Sequence, residues 1–232
     1  MVQNYCQGIQ SRVLNFYSRP VQNGQPAHGA IITPRQIAVC VPDLAQGRIN
    51  LEHTTLVGPH NRENIAAAGL AALAAGGTLE GVQKALDGFK VSAHRLEIVR
   101  TLRDVQFVND SKATNVDAVI RALECFDRPV VLIMGGRNKG YDFTALWGHV
   151  RKRVRKLIVI GEAGDAIMKA IGTAPVQGAE KAANLEQAVQ KACETARTGD
   201  TVLLSPACAS FDMFKSYAER GDKFRQLVKG LT

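Results

Sequence analysis

Val108-Asn-Asp-Ser-Lys-Ala-Thr-Asn115 joins a strand to a helix, and its composition decides how the rest of the chain is read. Val105, Phe107 and Val108 form a short apolar run before it, and a helical pattern resumes at Val116. Between them, Asn109, Asp110, Ser111, Lys112 and Thr114 place an amide, a carboxylate, two hydroxyls and an ammonium on one turn. In an open α/β sheet such turns lie beyond the carboxyl ends of the strands, where helix N-termini and loop side chains meet ligands. Helix capping by Ser111, Thr114 or Asn115 explains one or two of these residues. It does not explain Lys112, a cation at the positive end of a helix, which the macrodipole disfavours by about 0.3 kcal/mol or more. An anionic ligand would offset that cost.

Downstream, strands at Val130 to Met134, Leu157 to Ile160 and Val202 to Leu204 alternate with helices. The helices lie near Val116 to Cys125, Phe143 to Val154, Asp165 to Ile171, Leu185 to Ala196 and Phe214 to Leu227. Short, wholly apolar strands between amphipathic helices predict a mostly parallel sheet covered on both faces, an α/β Rossmann-like domain. Its strands should deliver four polar loops to one rim: 110–114, Gly135-Gly-Arg-Asn-Lys-Gly140, 161–164 and Ser205-Pro-Ala-Cys-Ala-Ser210. Lys112 and Lys139 would then sit on neighbouring loops. The glycine loop matches neither nucleotide-binding glycine motif and is a weak phosphate signal alone. Lys139 reads either as a solvated loop lysine or as a point charge for a carboxylate or phosphate.

Upstream, His94 to Val99 and Val105 to Val108 predict a hairpin, and Gly88 to His94 marks a boundary between residues 1–91 and 92–232. Residues 1 to 58 read as short strands at Arg12 to Tyr17, Ala30 to Ile32, Gln36 to Val41 and Arg48 to Leu51, broken by turns such as Asn23-Gly24. An alanine-rich helix over Ile65 to Ala75 should end at Gly76-Gly77, and a shorter one spans Leu79 to Ala85. Asn61 reads either as the cap of the first helix or, with Asn64 one turn on, as an amide that reads a base edge.

With 46% apolar residues the chain can bury a real core, which excludes a disordered tail. The net charge of +8 favours anionic partners. Much of it sits in Arg151-Lys-Arg-Val-Arg-Lys156, read as the solvated end of a helix, and 6% aromatic residues give little for a nucleic-acid face to stack on. Five scattered cysteines with no C-x-x-C pair argue against a disulfide frame or a zinc site. The N-terminus shows no secretory signal and no apolar run is long enough to span a bilayer. The expectation is a cytoplasmic protein without nucleic-acid or membrane partners.

Several strings in this order resemble the Mur ligase family, most closely its D-glutamate-adding branch. They are Gly58-Pro-His-Asn-Arg-Glu-Asn64, His94-Arg95, Asn109-Asp-Ser-Lys-Ala-Thr-Asn115, Gly135-Gly-Arg-Asn-Lys-Gly140 with Asp142-Phe143, and Leu204-Ser-Pro-Ala-Cys-Ala-Ser-Phe-Asp212 with Phe214-Lys215 and Arg220-Gly221. The resemblance runs from about residue 57 to the end. It implies that residues 1–91 are the tail of a central ATP-binding α/β domain and 92–232 the C-terminal, amino-acid-binding domain. Asn61 and Asn64 would face adenine, Asp110 the ribose and Arg95 the γ-phosphate. Lys112, Thr114, Lys139, Ser210 and the backbone at Tyr217, where the family usually has Phe, would hold D-glutamate. Arg95 and Lys112 would be the catalytic cations. ATP and Mg²⁺ would be the cofactors, with the metal ligands outside this chain, and UDP-N-acetylmuramoyl-L-alanine the second substrate, bound through a missing N-terminal part. The full-length enzyme would be a monomer. No G-x-x-x-x-G-K-[ST] loop occurs, so the chain alone is expected to be inactive. Two alternatives stand beside this: a non-catalytic module for a nucleotide or acidic amino acid, and a ligase of the folylpolyglutamate synthase type that takes another amino acid.

Overall fold

A computed structural model describes residues 13–18, 29–42, 44–54, 56 and 58–232. The expected Asn23-Gly24 turn and Arg12 lie outside these. The chain divides between Lys90 and Val91 into two compact units.

In the first unit, β1 (Asn15–Tyr17), β2 (Gly29–Ile32), β3 (Gln36–Val41) and β4 (Ala45–Asn50) form a sheet in that order, with β1 parallel to β2 and the others antiparallel. The period-2 alternation of β3 turns Ile37, Val39 and Val41 inward. Helix α1 (Pro59–Ala74) covers them with Ile65, Ala66, Leu70 and Leu73, and α2 (Leu79–Asp87) follows. The glycine pair ends α1 as the sequence suggests: Gly77 N–H donates to Ala72 O and Gly76 N–H to Leu73 O, with Gly76 left-handed. The start differs. Pro59 occupies the first helical position, where its missing N–H costs nothing, so Gly58 is the N-cap and Asn61 is already inside the helix. The capping reading of Asn61 is thereby overturned.

The second unit is a six-stranded sheet in the order β5-β6-β10-β7-β8-β9. Its strands are β5 (Glu97–Leu102), β6 (Val105–Asn109), β7 (Val130–Gly135), β8 (Val154–Ile160), β9 (Ala179–Lys181) and β10 (Thr201–Leu204). Only β5 is antiparallel, joined to β6 by a tight turn in which Arg103 and Asp104 both have positive φ. Alternate residues of the apolar strands feed two cores. Leu132, Met134, Leu157 and Leu203 pack under α3 (Val116–Leu123), α4 (Trp147–Arg153) and α5 (Gly164–Ile171). Val131, Ile133, Ile158 and Val202 pack under α6 (Leu185–Thr195) and α7 (Tyr217–Lys229).

Four differences from the expected elements have local causes. Strand β9 was not anticipated, because Ala-Glu-Lys carries no apolar pattern and is a strand only through its pairing with β8. The basic run 151–156 is helical only to Arg153: Val154 pairs with Val130, and Arg155 forms a fork on the buried Asp200, with N···O distances of 2.8 and 3.0 Å. A separate 3₁₀ turn at Phe143–Leu146 precedes α4. Helix α7 begins three residues late because Ser216 accepts from Glu219 N–H while Glu219 accepts from Lys215 N–H, a reciprocal cap that puts Tyr217 at the first helical position.

Candidate functional site

Strands β6, β10, β7 and β8 run parallel, so the loops that follow them share one rim in that spatial order. One expectation fails here. The loops of Lys112 and Lys139 are not neighbours: β10 lies between β6 and β7, and the loop 205–210 separates them by two strand spacings, about 10 Å. Sequence order hides this, because β10 is the last strand in the chain and a central one in the sheet.

The turn after β6 is fixed by its backbone. Asp110 N–H donates to Leu204 O (2.8 Å), Ala113 N–H to Asp110 O (2.9 Å), and Ala207 N–H to Ala113 O (2.9 Å), which ties this loop to the one after β10. Asn115 caps α3, accepting from Ala118 N–H, so capping consumes one of the polar residues and leaves Lys112 and Thr114 half-buried beside it. Lys112 Nζ lies 5.7 Å from the Tyr217 ring centroid, a cation–π contact that steadies the ammonium. Tyr217 is 37% exposed, and its carbonyl accepts Ser111 Oγ at 2.7 Å.

Residues 94–96 are strapped across the same turn. His94 is buried in a left-handed conformation, accepts from Lys112 N–H (3.1 Å) and places Nδ1 3.0 Å from Asn109 Nδ2. Leu96, also at positive φ, donates its N–H to Asp110 Oδ1 (3.2 Å). A side chain at positive φ costs energy, and here the flanking hydrogen bonds hold two of them around the exposed Arg95. Arg95 is near enough for its charge to act on Asp110.

Asp110 is 7% exposed. Burial raises its pKa to about 7, against the opposing pull of Ser205 Oγ–H on Oδ2 (2.9 Å), Leu96 N–H and the Arg95 charge. Between its ordinary 3.8 and about 7 the folded chain therefore holds a proton that the unfolded chain has released. That stabilisation is complete below the lower value and lost as pH rises through the higher one. Wild-type chain should melt a few degrees lower near pH 8 than near pH 5, and Asp110→Asn should flatten this slope. Equal slopes for the two proteins would refute the assignment.

The glycine loop is shaped by crowding. Gly135 and Gly136 both have positive φ, and a Cβ on either would strike the carbonyl of Ile160 or Ala209. Their N–H groups donate to Pro206 O (2.9 Å) and Ile160 O (3.1 Å), so neither is left to cradle a phosphate. What the loop offers is Lys139, exposed at its end. Lys139 is close enough to act electrostatically on Cys208, whose buried thiol is pushed up to about 12 and is therefore unreactive. Ser210, two residues on, is 2% exposed. The rim thus gathers Arg95, Asp110, Lys112, Thr114, Lys139, Ser210 and Tyr217. Asn61 and Asn64 are one turn apart on α1 in the first unit, half-buried and exposed respectively.

The sequence assigned no binding or positioning role to three residues on which this rim rests: Asn109, Ser111 and above all Arg220, which is fully buried beneath it. The signal for Arg220 was its place on the apolar stripe of α7 with Phe224 and Val228.

Residues 94–208 match the family described as Mur ligase, glutamate ligase domain. Over 97% of its length the chain is 45% identical to the UDP-N-acetylmuramoylalanine--D-glutamate ligase of Desulfosudis oleivorans, and over 79% it is 51% identical to that of Desulfatibacillum aliphaticivorans. The chain belongs to the Mur ligase family. It covers 48% and 40% of those two relatives, so it spans about half the length of the curated relatives it matches. Among solved structures, a pseudomurein peptide ligase type C from Methanothermus fervidus superposes with a TM-score of 0.66 at 14% identity, covering 91% of this chain and 43% of that one. A Mycobacterium tuberculosis folylpolyglutamate synthase complexed with ADP gives 0.61 at 15% identity, covering 88% and 48%. These likenesses show the Mur ligase fold, and the rim described above is where its parallel strands end. No helix among the described residues is long and apolar enough to cross a membrane.

Proposed function

We propose that this chain is the amino-acid-binding part of an ATP-dependent ligase that joins D-glutamate to UDP-N-acetylmuramoyl-L-alanine in peptidoglycan precursor synthesis. Residues 92–232 would be its C-terminal domain and residues 1–91 the end of its central, ATP-binding domain. The observation that carries the reading is the rim itself: two lysines on loops two strands apart, with Ser210 between them, suit a small amino acid bearing two carboxylates. The name shared by the relatives points to the same substrate.

In such a reaction ATP activates the substrate carboxylate as an acyl phosphate, which the amine of D-glutamate attacks. Lys112 and Lys139 would each pair with a carboxylate of the amino acid, Thr114 and Ser210 would donate hydroxyl hydrogen bonds, and the N–H of Tyr217 would add a backbone contact. Arg95 would stabilise charge on the transferring phosphoryl group, with Lys112 beside it as the second cation of the catalytic turn. Asp110, with lone pairs left on both oxygens, would accept from the ribose hydroxyls, while Asn61 and Asn64 would read adenine. Among the described residues no group of three or more His, Cys, Asp or Glu side chains could hold a metal ion.

The purified chain incubated with ATP, Mg²⁺, UDP-N-acetylmuramoyl-L-alanine and D-glutamate should release no phosphate above background, because it holds no P-loop. Fused behind the upstream half of the Desulfosudis oleivorans relative, it should release phosphate only when D-glutamate is present. In the isolated ¹⁵N-labelled chain, D-glutamate should shift the amides of Lys112, Thr114, Lys139 and Ser210. No D-glutamate-dependent turnover by a folded fusion, together with no shifts at these loops, would leave a non-catalytic module as the better reading.

A further inference from the structure

Arg220 heads the fully buried side chains of the described residues, and no carboxylate pairs with it directly, the charge of Asp212 acting on it without an ion-pair contact. Burial lowers its pKa to about 10, which leaves it charged at neutral pH. An unpaired charge in the interior is costly, and an apolar residue of similar volume would fit an apolar helix stripe more cheaply. The guanidinium is spent entirely on loops. Its Nε donates to Ser111 Oγ (2.9 Å), one terminal nitrogen to Ser111 O (2.8 Å), and both terminal nitrogens to Cys208 O (3.3 Å each). Ser111 Oγ in turn donates a hydrogen bond to Tyr217 O (2.7 Å). One planar fork thus joins the loop after β6, the loop after β10 and the first turn of α7.

Each acceptor sits beside a residue of the rim. Ser111 precedes Lys112 and lies three before Thr114, Cys208 lies two before Ser210, and Tyr217 is one turn before Arg220. The loop after β7, which carries Lys139, receives none of these bonds. We propose that Arg220 is a positioning residue for the amino-acid substrate, setting Lys112, Thr114, Ser210 and Tyr217 in mutual register without touching the ligand. This rests on the D-glutamate reading of the rim. The fixed directions of the fork matter here, and a lysine, with three donors on one atom, keeps the charge but cannot reach both loops.

The test is a titration of the ¹⁵N-labelled chain with D-glutamate and, separately, with ADP, for wild type, Arg220→Lys and Ser111→Ala. Arg220→Lys should weaken D-glutamate binding about 10-fold or more while ADP binding changes less than about threefold, since the fork bonds the amino-acid loops. Ser111→Ala, which removes the hydroxyl that links Arg220 Nε to Tyr217 O but leaves the bonds to Ser111 O and Cys208 O, should give a smaller loss in the same direction and decides the matter if Arg220→Lys does not fold. In both, amide exchange at Lys112 and Ala207 should quicken while exchange at Leu132 and Ile158 in the sheet does not. A wild-type response to D-glutamate that the folded variants keep within twofold overturns the inference alone. Equal losses for D-glutamate and ADP also overturn it, because a mere brace of the fold would act on both. A wild-type chain with no D-glutamate response overturns the substrate reading and the inference with it.

Discussion

Arg95→Ala should lower the kcat of the fused ligase about 100-fold or more, with the KM for D-glutamate within a few-fold of wild type. The expectation comes from how the residue is mounted. His94 and Leu96 are both held at positive φ by hydrogen bonds to the β6 turn, so Arg95 is presented at the rim from two fixed neighbours. An arginine on a mobile loop would lose backbone as well as side-chain entropy on meeting a phosphoryl group, whereas one on a fixed backbone has only its side chain left to order. Its charge acts on Asp110, the residue proposed for the ribose, so the two belong to one end of the rim. Charge on a transferring phosphoryl group is redistributed in the transition state, which is why loss of this cation should fall on kcat. Steady-state kinetics at saturating ATP decide it. If kcat holds within a few-fold while the KM for D-glutamate climbs, Arg95 serves the amino acid.

Asp110 was legible as part of a polar turn from local sequence, whereas Arg95 came only with the family resemblance. A polar cluster between an apolar strand and a helix is visible within eight residues, and the apolar strands from Val130 to Leu204 fixed the parallel sheet by their composition. What could not be read were relations between distant segments. Strand β9 exists only by pairing with β8, and the place of β10 between β6 and β7 is a property of the assembled sheet. The glycine loop looked like a weak phosphate cradle because Gly135 and Gly136 are needed for close approach to Ile160 and Ala209, a crowding no spacing rule encodes. Arg220 escaped for the same reason. Its acceptors are 109 and 12 residues away along the chain. Asn61 is not a cap because a proline two residues earlier starts the helix first, a start signal that Gly58-Pro59 itself carries, proline being favoured at the first helical position.

Lys112→Met and Lys139→Met should each raise the KM for D-glutamate about 10- to 150-fold in the fused ligase, the cost of roughly 1.5–3 kcal/mol for a lost charge-assisted hydrogen bond. Methionine keeps most of the stem and removes the charge. The KM for ATP should stay nearly unchanged for both. The two cations stand on loops separated by that of β10, about 10 Å between strand ends, a separation at which substitutions in a free protein usually add. Any coupling must therefore pass through something that both touch. A five-carbon diacid held by two lysine stems is long enough to be that link, with Ser210 on the intervening loop beneath it. The double variant should deviate from additivity in D-glutamate KM and should be additive in thermal stability, where no ligand connects the pair. The two lysines should also differ in rigidity: Lys112 rests on the Tyr217 ring, and its loop is bonded to Arg220, while Lys139 is exposed at the end of its loop. Tyr217→Ala should therefore weaken the contribution of Lys112 and leave that of Lys139 intact, which a cycle with each lysine variant measures. Additive KM effects for Lys112 and Lys139 would mean that they hold different ligands. A rise in the KM for ATP from either one would move that lysine to the phosphate end of the rim.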